Sequence, residues 1–178
     1  MYQTQRLLLR EWRDSDLVPF INMGNDPVVM KYFPSLLTES DTIAFVERIK
    51  AKFIRDKFSF FAVELLSTNE FIGFIGLNRP DFVADFTPCV EIGWRISPQF
   101  WGNGYATEGA KRCLEIAFQE HNLKEVVSFT YNANHKSRRV MERIGMRYAS
   151  SFFHPKLDFT HKLSPHVLYR IKNPLHNI

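Results

Sequence analysis

Cysteine is scarce in this sequence: 178 residues hold two, Cys89 and Cys113. Neither stands in a redox or metal-ligand spacing, which excludes a disulfide framework and a zinc ribbon and points to a reducing compartment. No run of 18 apolar residues occurs, and the opening Met-Tyr-Gln-Thr-Gln-Arg lacks the apolar stretch of a secretory leader. A soluble, cytoplasmic protein with no membrane partner is therefore expected. Internal repeats, low-complexity tracts and linker-like stretches are also missing, so one domain spanning residues 1–178 is expected.

The composition that remains is ordinary in bulk. Hydrophobic residues make up 45% and charged residues 24%, which excludes disorder, collagen-like repeats and coiled coil. The 17 phenylalanines are the exception and predict a Phe-rich core. Charge is unevenly placed. The net +4 divides into −3 over the first 120 residues and +7 from His121 onward, where Lys124, Lys136, Arg138, Arg139, Arg143 and Arg147 cluster. Such a segment suits an anionic ligand such as a phosphorylated cofactor, or it is simply a solvated helix face. It carries no recognised nucleic-acid-binding motif, so a nucleic-acid partner is disfavoured.

Apolar periodicity predicts the elements. Arg6–Trp12 reads as a Leu-rich strand, and Asp14 or Ser15 caps a short helix through Leu17, Phe20 and Ile21. Asp26-Pro27 opens a second helical piece carrying Val28, Val29 and Tyr32. Thr38-Glu-Ser-Asp41 resembles a capping box, and Ile43, Val46, Ile49 and Phe53 behind it form a helical stripe. Strands follow at Phe58–Leu65, Phe71–Leu77 and Val90–Ile96, then a helix at Thr107–His121. A strand at Val126–Tyr131, a helix at Ser137–Ile144 stopped by Gly145, and strands at 146–153 and 165–171 complete the chain. The order predicts an α/β (α+β) domain, a mixed sheet of about seven strands with helices on both faces.

The segment VEIGWRISPQFWGNGYATEGAKRC carries the chemistry. Glycines at 102 and 104, just before a helix, let the backbone approach a ligand and aim free N–H groups at a phosphate or pyrophosphate. No Lys follows Gly104, which excludes a Walker A loop. Thr107 stands where a dinucleotide fingerprint needs Gly or Ala, and Glu125 precedes the next strand instead of ending it. A glycine-rich connection without a ligand is the bland alternative.

Gln99-x-x-Gly102-x-Gly104-Tyr105-Ala106-Thr107-Glu108 resembles the acetyl-CoA-binding signature of the GNAT superfamily of N-acetyltransferases. Val90-Glu91-Ile92-Gly93-Trp94 before it, and Asn134-His-Lys-Ser137-Arg-Arg139 and Ile144-Gly145-Met146 after it, extend the likeness. Thr4-Gln-Arg6-Leu-Leu-Leu-Arg10 and His166-Val-Leu-Tyr169 look like the RimJ/RimL branch, which acetylates protein N-termini. Met146 departs from the Phe usual at its position. The resemblance implies a single GNAT domain over 1–178 whose fourth and fifth strands splay apart to admit pantetheine. It implies acetyl-CoA as cofactor, with CoA as product, held by Ile96, Gln99, Gly102, Asn103, Gly104, Tyr105, Ala106, Thr107, Asn134, Ser137 and Arg139. Arg138 and Arg139 either meet phosphate or lie on a solvated face.

The same resemblance implies acetyl transfer to a primary amine by direct attack in a ternary complex. The acceptor is a protein or peptide N-terminal α-amine, or alternatively a small amine such as an antibiotic, polyamine or amino acid derivative; a non-catalytic CoA-binding module is a third reading. Period-2 alternation puts Glu91, Gly93 and Arg95 on one strand face. Glu91 is the candidate general base, or else a partner for Arg95. Ser137 is the candidate general acid or a helix-terminal hydroxyl, and Met141 occupies the position where many relatives place a Tyr. Five of the six histidines, those at 121, 135, 154, 161 and 166, are read as forming no pair. Loops 23–38, 79–88 and 154–165 are expected to choose the acceptor, with Trp12, Tyr32, Phe33 and Phe82 as candidate lining. No metal is expected, and a monomer or homodimer fits the late strands.

Overall fold

In the computed structural model, which describes residues 1–176, the apolar strands assemble into one sheet of eight. They are β1 (Tyr2–Gln3), β2 (Leu7–Arg10), β3 (Phe60–Leu65), β4 (Phe71–Asn78), β5 (Glu91–Ile96), β6 (Glu125–Tyr131), β7 (Arg147–Phe153) and β8 (Pro165–Lys172). Their spatial order is β1-β2-β3-β4-β5-β6-β8-β7, and β5–β6 is the one parallel pair among the described residues. Helices α1 (Leu17–Gly24) and α2 (Glu39–Asp56) lie against one face, α3 (Tyr105–Glu115) and α4 (His135–Arg143) against the other.

Alternation along β3 shows how the two cores arise. Phe61, Val63 and Leu65 enter the cluster that holds Ala110, Cys113 and Leu114 of α3 and Met141 of α4. Phe60 and Ala62 point the other way, toward Phe20 and Met23 of α1 and Val46 and Ile49 of α2. Phenylalanine dominates the second core, where Phe20, Phe45, Phe60, Phe71 and Phe74 pack ring on ring at 4.7–6.3 Å. The Phe-rich core is as expected.

Local chemistry sets the element ends. The Thr38 hydroxyl accepts from Asp41 N at 3.1 Å, and the Asp41 carboxylate accepts from Thr38 N at 3.1 Å, so the capping box starts α2. Gly145, at φ +88°, ends α4. Across β2 and β3 the buried Arg10 guanidinium bonds Asp16 at 2.7 and 2.8 Å and Glu64 at 2.7 Å.

Several expectations need correction. The sheet gains β1, two residues without an apolar pattern, so the parted strands are the fifth and sixth. No helix forms at Asp26–Tyr32: the Asp26 carboxylate accepts from Val28 N at 2.7 Å and the chain makes turns instead. Ile43 is 38% exposed and lies outside the buried stripe of α2. The helix expected to end at His121 leaves α-geometry after Glu115 and closes through a π-turn, Ile116–Glu120.

Candidate functional site

The sheet opens at β5–β6. Their backbones pair once, where Glu91 faces Val127 and Val127 N donates to Val90 O at 2.9 Å. The Ser128 hydroxyl adds a bond to Ile92 O at 2.9 Å. Beyond that point no backbone register joins them, although β5 stays paired with β4 to Ile96 and β6 with β8 to Tyr131. Since Ile92 C=O faces β6, the two-residue period turns the N–H and C=O of Trp94 toward the gap as well. The carbonyl of Ile96 is already taken, accepting from Trp101 Nε1 at 2.7 Å.

At the open end of the gap lies the glycine-rich turn. Gly102 and Gly104 have φ of +83° and +82°, and a Cβ at Gly102 would meet nothing within 4 Å. Gly104 caps α3, and among the described residues none of the N–H groups from Gly102 to Thr107 donates a hydrogen bond. Six free donors thus converge at the positive end of a helix, which is the donor set a pyrophosphate requires. The turn is buttressed from the N-terminus. Arg6 Nη1 donates to Asn103 O at 3.0 Å, and its guanidinium lies 4.6 Å from the Tyr105 ring. The Glu108 carboxylate accepts from Thr4 Oγ1 at 2.6 Å, from Arg6 N at 2.8 Å and from Arg6 Nε at 2.7 Å. Gln99 instead turns to Glu70, at 3.4 Å.

Helix α4 comes up beside the turn. Asn134 caps it, its Oδ1 accepting from Ser137 N at 3.3 Å while its Nδ2 donates to Thr130 Oγ1 at 3.0 Å. The Ser137 hydroxyl has no partner among the described residues. Of the two arginines, Arg138 is turned away, donating to Tyr169 Oη at 3.3 Å and to Asn132 O at 3.1 Å, and Arg139 is exposed. The cation that does reach the turn is one that sequence reading passed over: Lys136 Nζ stands 4.0 Å from the Trp101 ring. Arg6 was likewise missed, and only its contact with residues a hundred positions away reveals it. Met141 is core, 1% exposed.

On the opposite sheet face stand Glu91, Gly93 and Arg95, as alternation predicted. Glu91 does not pair with Arg95. Its Oε1 accepts from Asn78 Nδ2 at 2.5 Å, and Asn78 Oδ1 in turn accepts from Lys52 Nζ at 2.5 Å. Burial raises the Glu91 carboxyl to about 7 against the opposing pull of the Asn78 bond and of Lys52.

Segments flanking this face bring aromatic rings to both lips of the gap. Tyr32 packs on Tyr131 of β6 at 5.7 Å, while Phe33 covers Arg95 of β5. Phe82 and Phe86 pack on Phe129 at 5.6 and 6.0 Å. Trp12 is not among them; it is buried beside Phe20, with Nε1 bonded to Phe60 O at 2.8 Å. The histidines also need correction: the rings of His154 and His166 lie 4.9 Å apart, and burial holds His154 down at about 4. No cluster of three or more potential metal ligands occurs among the described residues, nor any helix long and apolar enough to cross a membrane.

Comparison with known proteins agrees with this geometry. The model of the acetyltransferase (GNAT) domain matches residues 6–147. An uncharacterized N-acetyltransferase of Bacillus subtilis, YnaD, is 36% identical over 150 residues, 84% of either chain. A GNAT-family acetyltransferase from Bacillus anthracis superposes with a TM-score of 0.78 at 31% identity, covering 96% of this chain and 97% of that one. The ribosomal-protein-S5-alanine acetyltransferase of Vibrio fischeri shares the fold, with a TM-score of 0.77 over 97% and 96% of the chains, at 16% identity.

Proposed function

The chain belongs to the GNAT acetyltransferase family and is an acyltransferase that uses acetyl-CoA; from that premise we propose that it acetylates an α-amine, the N-terminus of a protein or peptide, as one cytoplasmic domain over residues 1–178. The observation that carries the choice of acceptor is the place of Glu91, at the point where β5 and β6 part and bonded to Asn78, where burial raises its carboxyl to about 7. An α-ammonium has a pKa of about 7.7–8.0, within reach of such a base, whereas a lysine-like or polyamine ammonium near 10.4 is not.

Bound acetyl-CoA supplies an activated acetyl group and a thiol leaving group of pKa about 8.5. The free N–H groups from Gly102 to Thr107 fit its pyrophosphate, Asn134 and Ser137 border its pantetheine arm, and Lys136 adds positive charge at the turn. Parting of β5 from β6 frees the Trp94 N–H and C=O to fix that arm and to orient the acetyl carbonyl. Glu91 Oε1 takes one proton of the α-ammonium, directly or through one water, and the Ser137 hydroxyl would pass the second proton given up by the amine on to the departing thiolate, recovering its own.

Calorimetric titration of acetyl-CoA into the wild type and into Gly104→Trp tests the donor half. The glycine stands at φ +82°, so any side chain there strains the turn, and an indole fills the space before the free N–H groups. Binding by the wild type and none by the variant is expected. Acetylation of N-terminal peptides by the wild type, with spermidine and lysine side chains far poorer, tests the acceptor half, and equal rates for all amines would overturn it.

A further inference from the structure

Arg95 is the unusual residue of the acceptor face. It is 9% exposed, yet among the described residues no carboxylate pairs with it and no atom accepts a hydrogen bond from it. Its Nε and Nη1 are sealed from solvent without a partner. Aromatic rings surround the guanidinium instead: Phe33 at 4.4 Å, Phe74 at 5.4 Å, and Phe20 and Phe45 at 5.8 Å each from Cζ to the ring centroid. Burial lowers its pKa to about 10.

Cation–π contact offsets part of the cost of burying a guanidinium but satisfies none of its N–H donors. A buried cation left without an anion is a costly arrangement. The same chain handles its other buried arginine differently, giving Arg10 two carboxylates at 2.7 Å. A purely structural role at 95 would call for that solution, or for an apolar residue. Phe33, the nearest ring, is 40% exposed and belongs to the segment that lines the gap, so the cage reaches the surface on the acceptor side.

We propose that Arg95 is the receptor for a carboxylate on the acceptor, so that the preferred substrates are amines carrying an anionic group a short distance from the amine. This rests on the reading of Glu91 as the base that meets the amine. Glu91 and Arg95 share one strand face four residues apart, which places their backbones about 13 Å apart, less the reach of two side chains toward each other. Extended peptide advances about 3.3–3.6 Å per residue, so an acidic side chain at the second or third position of a peptide spans that interval. A single amino acid amide whose side-chain carboxylate lies a few methylenes from its α-amine offers the same pair of groups. A second ammonium in place of the carboxylate meets the guanidinium charge and is rejected.

Two matched pairs separate the sources. One is a tripeptide with Ala first and Glu, against Gln, at positions two and three; the other is glutamic acid α-amide against glutamine α-amide, each a single α-amine beside an amide. Acetylation rates with acetyl-CoA, and calorimetric binding of each acceptor to the enzyme loaded with CoA, are measured for wild type, Arg95→Met and Arg95→Lys. The expected result is a wild-type preference for the carboxylate member of at least one pair by about 10- to 100-fold, seen in KM and in binding, the range for hydrogen bonds to a charged group. In Arg95→Met that preference falls to near unity while acetyl-CoA affinity is unchanged, and Arg95→Lys keeps part of it. Preference in the peptide pair alone or in the small-amine pair alone identifies the source.

No wild-type preference in either pair overturns the proposal, as does a loss in Arg95→Met that is equal for acid and amide, which marks a packing role. The wild-type comparison stands even if Arg95→Met fails to fold. A binding preference without turnover leaves Arg95 as the carboxylate receptor and overturns the α-amine chemistry instead.

Discussion

At the scale of single residues, Glu91 as the proposed base joins two demands that pull in opposite directions. A base must be ionised to accept a proton, and burial opposes ionisation, so the carboxyl sits at about 7. The acid limb of kcat should therefore rise as pH passes through about 7. Glu91→Gln should remove that limb and lower kcat by about 100-fold, leaving acetyl-CoA affinity unchanged. The same shift has a consequence for stability. A carboxyl whose folded pKa lies above its unfolded value binds its proton more tightly in the folded state. Its contribution is complete below about 4.5 and is lost as pH rises to about 7. Thermal melts of wild type and Glu91→Gln should consequently diverge with pH, the variant gaining relative stability at pH 8 compared with pH 4. A constant difference would mean that Glu91 is solvated like a surface carboxylate.

At the scale of elements, the N-terminal segment and α3 act as one unit. Arg6 holds Asn103 O, stacks on Tyr105 and pairs with Glu108 at 2.6 Å, so a residue at the entrance to β2 fixes the turn in front of α3. Arg6→Ala should weaken acetyl-CoA binding about tenfold, with kcat at saturation little changed, because it frees the turn without touching the acceptor face. Unchanged affinity would show that the glycine backbone holds its shape unaided. This unit also shows where sequence reading succeeds and where it stops. Gly102, Gly104, the Thr38–Asp41 box and the period-2 face of Glu91 are local patterns, each written within a few residues, and the structure has all of them, whereas α4 is capped by Asn134 and starts at His135, two residues before the expected Ser137. The Arg6–Glu108 clasp, Lys136 over Trp101 and the adjacent rings of His154 and His166 join segments that are not neighbours in sequence. No spacing rule encodes them. Asp26–Tyr32 failed for a different reason: Asp26 offers the backbone a competing hydrogen bond, and Tyr32 and Phe33 are drawn onto Tyr131 and Arg95 instead of into a helical stripe.

For the molecule as a whole, the sheet is a partition with one opening. The glycine-rich turn and α4 lie by α3 on one side, and Tyr32, Phe33, Glu91 and Arg95 lie on the side of α1 and α2. Among the described residues the two groups face each other at the parting of β5 and β6, since the other strand pairs are joined by backbone register. Even the basic C-terminal third is dispersed by this plan. Arg170 is paired with Glu125, Lys156 with Asp81 and Arg138 with Tyr169, while Lys136 stands by Trp101 at the turn. Binding on the two sides should then be energetically separable. Tyr32→Ala removes a ring from the acceptor lip and should raise acceptor KM about tenfold at constant acetyl-CoA affinity. Lys136→Ala should do the converse, weakening acetyl-CoA about threefold to tenfold at constant acceptor KM. Because the substituted residues share no contact, the losses in kcat/KM should add in the double variant to within about 0.5 kcal/mol. A larger coupling would show that the segment carrying Tyr32 responds to donor binding through the gap, which would make the order in which the two substrates bind a property of the fold.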